Sequence, residues 1–263
     1  MSEFRSFYLD DPLQTGRVFD LFTAAPDVPE QQVAVFFIHG GGWRNGSRQK
    51  FHSIMEAFGK RGFITASTDY RLYARDAFEQ LSDVRAAYSS FATWIRNSGR
   101  QVKIAVFGES AGAHLASLLV CAAPGACGEK NDFSDPWVKP VMGILQATPV
   151  DFLPWDGMMP QTWSIMQNIA GVPYDQAPEV YGRLSLKNYI SPANPPLFFM
   201  EAELENMFLS EHTAKIAELH RQWGINTRWK CYEKMEHGFF YELKRRAQLE
   251  AFEDICTILQ QLD

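Results

Sequence analysis

The chain has 263 residues, with 31 Asp and Glu against 25 Lys and Arg and a formal net charge of −6. We expect a single domain over residues 1–263, because a chain of this length with 46% hydrophobic residues can bury one sizeable core. The acidic balance leaves no basic face to neutralise phosphates, which argues against a nucleic-acid partner.

Apolar runs along the chain predict seven β-strands, and amphipathic runs between most of them predict five helices. The expected strands are 18–23, 33–38, 62–67, 102–107, 141–146, 197–201 and 227–232, and the expected helices are 49–59, 78–97, 111–121, 210–223 and 241–262. The run 33–38 is apolar at every position, which is typical of a parallel strand that is covered on both faces. The pattern predicts an α/β fold, a three-layer α/β/α sandwich around a mostly parallel sheet.

Residues 1–10 contain Glu3, Arg5 and Asp10 and no continuous apolar stretch. A signal peptide or a membrane span needs such a stretch, so we expect a cytoplasmic protein with no membrane partner. The four cysteines lack the paired spacing of a zinc site, and no His-Glu-x-x-His motif occurs. The sequence therefore predicts no metal and no cofactor.

Residues 151–189 break the alternation of strands and helices. No clear strand is visible in this segment, yet it is rich in large apolar side chains: Trp155, Met158, Met159, Trp163, Met166 and Tyr174. Long connections in compact domains are commonly functional. Two interpretations stay open, a lid or pocket wall and a helical excursion that packs its aromatic side chains inward.

A Gly-x-Ser-x-Gly motif follows the predicted strand 102–107. It reads Gly108-Glu109-Ser110-Ala111-Gly112, and a predicted helix begins directly after the serine. Strand, sharp turn and helix are the context that this motif needs. Glycine on both sides of the serine removes side chains that would crowd the turn. Ser110 is therefore the candidate nucleophile.

A second motif, His-Gly-Gly-Gly-Trp at residues 39–43, follows the predicted strand 33–38. Consecutive glycines let the backbone approach a ligand closely and direct N–H groups at a developing negative charge. No Gly-Lys-Ser/Thr or Gly-x-Gly-x-x-Gly phosphate motif occurs in the chain.

With these two motifs the sequence resembles the α/β-hydrolase superfamily, and within it the compact carboxylesterases of the hormone-sensitive-lipase-like or feruloyl-esterase-like branch. The resemblance implies an oxyanion hole made by the N–H groups of Gly41, Gly42 and Ala111. It extends over most of residues 33–121 and again over 187–252. Residues 69–72 and 83–87 also resemble stretches of these esterases, and we interpret them as a structural brace under the glycine loop.

The general base is expected among six histidines. The family order of Ser, acid and His points to His237, which follows the last predicted strand and precedes the last predicted helix. His114 is interpreted as a packed structural residue and His39 as a brace of the glycine loop. The remaining histidines are interpreted as helix-surface residues: His52, His212 and His220.

The acid departs from the commoner pattern, because the loop after strand 197–201 contains no Asp. Counting from that strand selects Glu205, with Glu203 as the alternative and Glu201 expected in or at the end of the strand. Glutamate can hold an imidazole by its Nδ1 hydrogen as aspartate does. The interval from Glu205 to His237 leaves room for one helix and one strand.

The sequence thus predicts a serine esterase that acts on a small-molecule ester or amide. Its substrates are expected to be small to medium, soluble acyl or aromatic compounds. The candidate pocket residues are Trp43, Glu109, Trp155, Met159, Trp163 and Phe239. Two alternatives stay open: an arylformamidase acting on N-formylkynurenine, because related formamidases carry a similar glycine loop, and a ligand-binding homologue with weak activity. The sequence leaves open whether the chain is a monomer or a homodimer.

Overall fold

The computed structural model describes residues 3–9, 17–24 and 27–262 of the chain. Eight strands form one sheet in the order β1-β2-β4-β3-β5-β6-β7-β8. Their bounds are β1 Arg5–Tyr8, β2 Val18–Phe22, β3 Val33–Ile38, β4 Thr65–Thr68, β5 Lys103–Glu109, β6 Met142–Gln146, β7 Leu197–Ala202 and β8 Arg228–Tyr232. The strands β3 to β8 run parallel, whereas β1 and β2 pair antiparallel at one edge.

Within the described ranges, seven α-helices cover the two faces of this sheet. They are α1 His52–Gly59, α2 Ala77–Asn97, α3 Ala111–Cys121, α4 Pro160–Ala170, α5 Pro178–Leu184, α6 Ser210–Gln222 and α7 Arg246–Gln260. Local chemistry sets several ends: the Asp76 carboxylate accepts from the N–H of Glu79 at 3.0 Å and caps α2, and α4 ends at Gly171 with φ of 78°.

The core lies on both sides of the sheet, and β3 shows why. Its residues 34, 36 and 38 point into one apolar cluster with side chains of α2, α3 and α6, while residues 33, 35 and 37 point into a second cluster with α1 and α7. All six residues of β3 are buried. A strand buried on both faces cannot alternate in polarity, which explains the continuous apolar run. The predicted three-layer α/β/α sandwich is confirmed.

Several element bounds differ from the sequence prediction. The edge strand β1 was not predicted, and the strand predicted at 62–67 is observed at Thr65–Thr68. The last helix begins at Arg246 instead of 241, because residues 241–245 form a turn that delivers a side chain to the candidate site. Residues 151–189 contain the helices α4 and α5.

Two features are absent from the described residues. None of the helices within the described ranges combines the length and the apolar character required to cross a bilayer. Within the same ranges, no three or more His, Cys, Asp and Glu side chains are grouped so that they could hold a metal ion.

Candidate active site

Ser110 lies in a strained turn between β5 and α3, at the carboxyl end of a central strand. Its φ of 52° and ψ of −119° are rare for a residue with a side chain. A Cβ at Gly108 would lie 2.4 Å from the carbonyl oxygen of Gly112, and one at Gly112 would lie 2.1 Å from that of Ile38. Both positions therefore require glycine, and the turn places Ser110 at the first residues of α3.

The glycine loop, residues 39–43, lies beside this turn. Gly41, Gly42 and Trp43 have φ values of 123°, 58° and 60°. Residues in this left-handed region build the backbone concavities that bind anions through their N–H groups. A Cβ at Gly40 would lie 1.9 Å from the Oε2 atom of Glu109, so glycine there permits the loop to pack against a carboxylate.

Buried hydrogen bonds fix the glycine loop from below. The Tyr70 hydroxyl donates to the carbonyl oxygen of His39 at 2.9 Å, and Gln80 Nε2 donates to that of Trp43 at 2.7 Å. His39 Nε2 lies 3.7 Å from Asp69 Oδ1, and burial lowers the pKa of His39 to about 4. The imidazole is therefore neutral at physiological pH and acts as packing for the loop, which agrees with the brace expected from residues 69–72.

His237 follows β8 and reaches the serine turn and the acid loop together. Its Nε2 atom lies 2.8 Å from Ser110 Oγ, and its Nδ1 atom lies 2.7 Å from Glu205 Oε2. The Glu205 carboxylate also accepts from the backbone N–H groups of Met207 and Phe208 at 2.8 and 3.3 Å. The structure thus brings together the three residues that sequence reasoning selected.

Opposing effects set the protonation of this pair. Burial raises the pKa of Glu205, but the hydrogen bond and charge of His237, with two backbone donors, bring that pKa below its usual value. Burial lowers the pKa of His237, whereas the hydrogen bond and charge of Glu205 and the charge of Glu109 raise it above its usual value. The carboxylate therefore stays ionised and favours the imidazolium form.

The two other glutamates of this region face different partners. Glu203 is exposed, and its Oε2 atom accepts from the backbone N–H of Lys234 at 2.7 Å. Glu201 is inside β7 and buried, where the Thr213 hydroxyl donates to Oε1 at 2.7 Å. Burial raises the pKa of Glu201 to about 7. Of these three described glutamates, Glu205 is the one that hydrogen-bonds His237.

Glu109 is a second carboxylate beside the imidazole, on its Nε2 side. Its Oε1 atom lies 3.6 Å from His237 Nε2, and its Oε2 atom accepts a short hydrogen bond from the Tyr241 hydroxyl. The backbone N–H of Gly40 donates to that hydroxyl at 3.0 Å. Tyr241 therefore links the glycine loop to Glu109. The sequence pattern predicts Tyr241 as the first residue of the last helix. Only its closeness to His237 along the chain could have indicated that it links the glycine loop to Glu109.

His114 is buried, as expected for a structural residue. Trp43 Nε1 can only donate, so the bond of 3.3 Å to His114 Nδ1 makes this atom the acceptor and leaves Nε2 to donate to the carbonyl oxygen of Leu184 at 2.8 Å. Burial lowers the pKa of His114 to about 4. The neutral imidazole thus anchors Trp43, the last residue of the glycine loop, to α3.

The prediction of three surface histidines was wrong for His220. This side chain is buried, and its Nδ1 atom pairs with Thr227 Oγ1 at 2.8 Å, because the helix α6 turns it toward the strand beneath. His52 is partly buried beside Asp20, with 2.8 Å between Nε2 and Oδ2. His212 contacts the Trp155 ring edge-on.

A cavity of about 650 Å³ opens at Ser110 and His237. Of the predicted pocket residues, Trp43 and Glu109 line it. The other lining residues come from the glycine loop and its continuation, from α4, and from the loops around Glu205 and His237: Gly41, Gly42, Arg44, Asn45, Lys50, Thr162, Ser164, Ile165, Asn168, Met207, Phe208, Gly238 and Tyr241. The cavity therefore has an apolar side near Phe208 and a polar side near Lys50.

The structure places the other four predicted pocket residues away from the cavity lining. The helix α4 does form a wall, but with the face that carries Ile165 and Asn168, while Trp163 points to the other side and packs against Tyr181. Phe239 is buried in the core beside Tyr232. Trp155 and Met159 precede α4 and are likewise outside the lining. Aromatic content marked the right segment but could not indicate the helix face.

Comparisons with known proteins show a shared fold. Solved structures with a similar fold include esterase B from Lactobacillus rhamnosis HN001, at 16% identity and a TM-score of 0.81, covering 99% of this chain and 86% of that one. They also include a thermophilic esterase from the Planctomycetes species Thermogutta terrifontis with propionate bound, at 21% identity and a TM-score of 0.74, covering 99% and 94%. A sequence comparison with curated proteins finds no significant match.

The sequence profile of the BD-FAE family matches residues 19–219. This span is more than half of the chain and includes the glycine loop, the serine turn and Glu205, while His237 lies beyond it. The resemblance to α/β-hydrolase esterases is confirmed by this match and by the shared fold. The chain belongs to the BD-FAE family, a family of α/β-hydrolase-like esterases.

Proposed function

We propose that this protein hydrolyses carboxylic esters through an acyl-enzyme formed on Ser110. His237 is the general base and Glu205 is the acid that orients it. The observation that carries the proposal is the unbroken relay of two hydrogen bonds, 2.8 Å from Ser110 Oγ to His237 Nε2 and 2.7 Å from His237 Nδ1 to Glu205 Oε2. A serine hydroxyl is a weak nucleophile unless a base takes its proton, and this relay supplies the base in the required tautomer.

In the acylation step, His237 Nε2 takes the proton of Ser110 as Oγ attacks the carbonyl carbon of the ester. The tetrahedral intermediate collapses when the bond to the leaving oxygen breaks, and the imidazolium gives its proton to the departing alcohol. Water then attacks the acyl-enzyme with His237 as base, which releases the carboxylic acid and regenerates Ser110. Glu205 stays ionised throughout and stabilises the imidazolium.

The negative oxygen of the intermediate is assigned to the N–H groups of Gly41, Gly42 and Ala111. Left-handed backbone at the two glycines and the first turn of α3 at Ala111 both favour a negative charge at this point. Each such donor lowers the reaction barrier by about 3 kcal/mol in comparable enzymes.

The substrates are proposed to be small to medium, soluble acyl or aromatic esters. Ile165, Met207 and Phe208 give the cavity of about 650 Å³ an apolar side suited to a short acyl chain. The Thermogutta terrifontis esterase has been solved with propionate and with butyrate bound, at 21% identity to this chain. These ligands support short acyl groups as the first substrates to test.

The test is covalent labelling by a fluorophosphonate, measured by intact-mass spectrometry of the wild type and of Ser110→Ala. We expect one added phosphonyl group on the wild type and none on the variant, because the reagent reports an activated serine without a natural substrate. A folded wild-type protein that stays unlabelled would overturn the proposal and favour a ligand-binding role. Rates on phenyl acetate and on N-formylkynurenine then separate an esterase from an arylformamidase.

A further inference from the structure

The cavity at Ser110 carries an unbalanced positive charge. Arg44 and Lys50 both line it, and the single acidic residue of the lining is Glu109. Neither cation forms a salt bridge with a carboxylate of the described residues, although the chain as a whole has a net charge of −6. A cationic cleft in an acidic protein attracts an anionic ligand locally.

Glu109 does not neutralise Lys50 by direct pairing. Its carboxylate is buried and is held by the Tyr241 hydroxyl on one oxygen, while the other faces His237. The ammonium group of Lys50 lies over the face of the Tyr241 ring, 5.0 Å from the ring centroid, and forms no salt bridge with Glu109. The Lys50 side chain is exposed, so an incoming ligand can reach it.

Arg44 supplies a second charge, but in a fixed position. Its Nε atom donates to Asn168 Oδ1 at 2.8 Å, and its Nη1 atom donates to the carbonyl oxygens of Leu72 and Ala74 at 3.1 and 2.6 Å. These acceptors are neutral, so they do not compensate the positive charge of the guanidinium in the cavity lining. Lys50 is therefore the cation that can move to meet a substrate, and Arg44 contributes a constant field.

The position of Lys50 indicates which part of the substrate it meets. The hydroxyl of the Tyr241 ring beneath it donates to Glu109, and Glu109 Oε1 lies 3.6 Å from His237 Nε2. In the proposed mechanism this Nε2 atom gives its proton to the leaving oxygen. Lys50 thus lies on the leaving-group side of the cavity.

We propose that the preferred substrates carry a carboxylate on the leaving alcohol or phenol, and that Lys50 binds this carboxylate. The inference rests on the proposed function, because the leaving-group side is defined by the roles of Ser110 and His237. It adds a specificity-determining residue to the site. Lys50 takes no part in the bond-making steps.

The experiment compares two esters that differ in one charge, para-acetoxybenzoate and para-acetoxybenzamide. Both transfer the same acetyl group and release para-substituted phenols. For each protein we take the ratio of kcat/KM for the benzoate to kcat/KM for the benzamide. Comparing this ratio between variants cancels the difference in intrinsic reactivity of the two esters. We expect Lys50→Gln to lower the ratio by about twofold to fivefold relative to the wild type, the size of a partly exposed ion pair. The ratio in the wild type should also fall as salt rises from about 0.05 M to about 0.5 M.

The matched control is Lys60→Gln, because Lys60 is exposed at the end of α1 and lies outside the cavity lining. It changes the net charge equally and should leave the ratio unchanged. Lys50→Glu should reverse the preference, favouring para-(aminomethyl)phenyl acetate over the benzoate. An unchanged ratio in both Lys50 variants overturns the inference while turnover of the neutral ester sustains the proposed function. Absence of turnover on every ester, with folded protein, overturns both.

Discussion

Two carboxylates of this molecule are paired with cations in contrasting surroundings. Glu205 holds His237 at 2.7 Å at the edge of an open cavity, where the His237 side chain is 23% exposed. Glu129 holds Arg85 at 2.7 Å with both side chains fully buried between α2 and the chain after α3. The first pair joins a carboxylate to an imidazole whose other nitrogen faces a serine hydroxyl, and the second joins a carboxylate to a guanidinium.

The difference shows what surroundings make of the same type of contact. At Glu205, one end of the imidazole is held while the other end faces Ser110 and solvent, so a proton can be exchanged. At Glu129, the backbone N–H groups of Gly125 and Cys127 donate to the carboxylate, and the carbonyl oxygens of Leu118 and Ala122 accept from Arg85. A pair buried among these partners fixes the local conformation and is closed to a substrate.

Ser110→Ala should give the largest effect and tests whether the open pair serves a nucleophile. We expect kcat/KM on phenyl acetate to fall by at least about four orders of magnitude, because the nucleophile is lost. The free energy of unfolding in urea should be nearly unchanged, since the side chain is at the cavity. Near-normal turnover in protein purified free of host esterases would remove Ser110 from the mechanism.

Glu205→Gln tests whether Glu205, and not the nearby Glu203, is the acid that orients His237. We expect kcat to fall by roughly a hundredfold to ten-thousandfold, because an amide cannot stabilise the imidazolium or fix its tautomer. Glu203→Gln is the matched control and should keep near wild-type kcat, since its side chain faces Lys234 instead. Equal losses in the two variants would argue that the acid has been misassigned.

Glu129→Ala tests the closed pair. The guanidinium of Arg85 would remain buried without its carboxylate, so we expect the free energy of unfolding to fall by about 3–5 kcal/mol, measured by urea titration. The folded fraction should keep its kcat. A double variant with leucine at both positions should regain part of the stability, and a Glu129→Ala protein as stable as the wild type would show that the pair contributes little.

Tyr241→Phe removes a partly buried hydroxyl of the site, whose surroundings are intermediate between those of the open pair and the closed pair. Losing it leaves the N–H of Gly40 and the carboxylate of Glu109 without this partner, and we expect kcat/KM to fall by roughly fivefold to thirtyfold, from about 1–2 kcal/mol. The KM for a neutral ester should change less than kcat, because the glycine loop is the proposed binding site for the negative oxygen of the transition state. An unaltered kcat would indicate that the loop is held adequately by Tyr70 and Gln80.

The smallest effect is expected in the pH profile. The base form of His237 is needed, and its pKa lies above the ordinary value, so kcat/KM should rise with pH through that raised pKa. Glu109→Gln removes a carboxylate 3.6 Å from Nε2 and should move this limb toward acid by less than about one pH unit. Glu236→Gln, on an exposed side chain paired with Arg245, is the control and should leave the limb in place.

Much of the fold and the centre of the site could be predicted from sequence because their signals are local. The buried strands read as apolar runs, and Gly108 is required by a contact of 2.4 Å with Gly112 inside one turn. Glu205 was selected by counting from a strand, since a short loop after a strand leaves little freedom. These elements depend on neighbours a few positions away.

The remainder depends on contacts between distant segments, for which the sequence carries no local signal. Tyr241 reaches Glu109 across 132 positions, and Arg44 reaches Asn168 across 124. The aromatic residues of 151–189 predicted a pocket wall, but the orientation of α4 is set by packing against Tyr181 and its neighbours. His220 was assigned to the surface because one helix turn cannot reveal which face meets the sheet.

The hydrogen bond between Ser110 and His237 spans 127 positions of the chain. During synthesis, the residues of the serine turn and the glycine loop leave the ribosome long before His237 does, so the half-made protein has a serine without its proposed base. Closing so long a loop costs chain entropy that only the completed sheet, through β8, can offset. Hydrolytic activity is therefore expected to switch on last, and its recovery during refolding would serve as a clock for completion of the sheet.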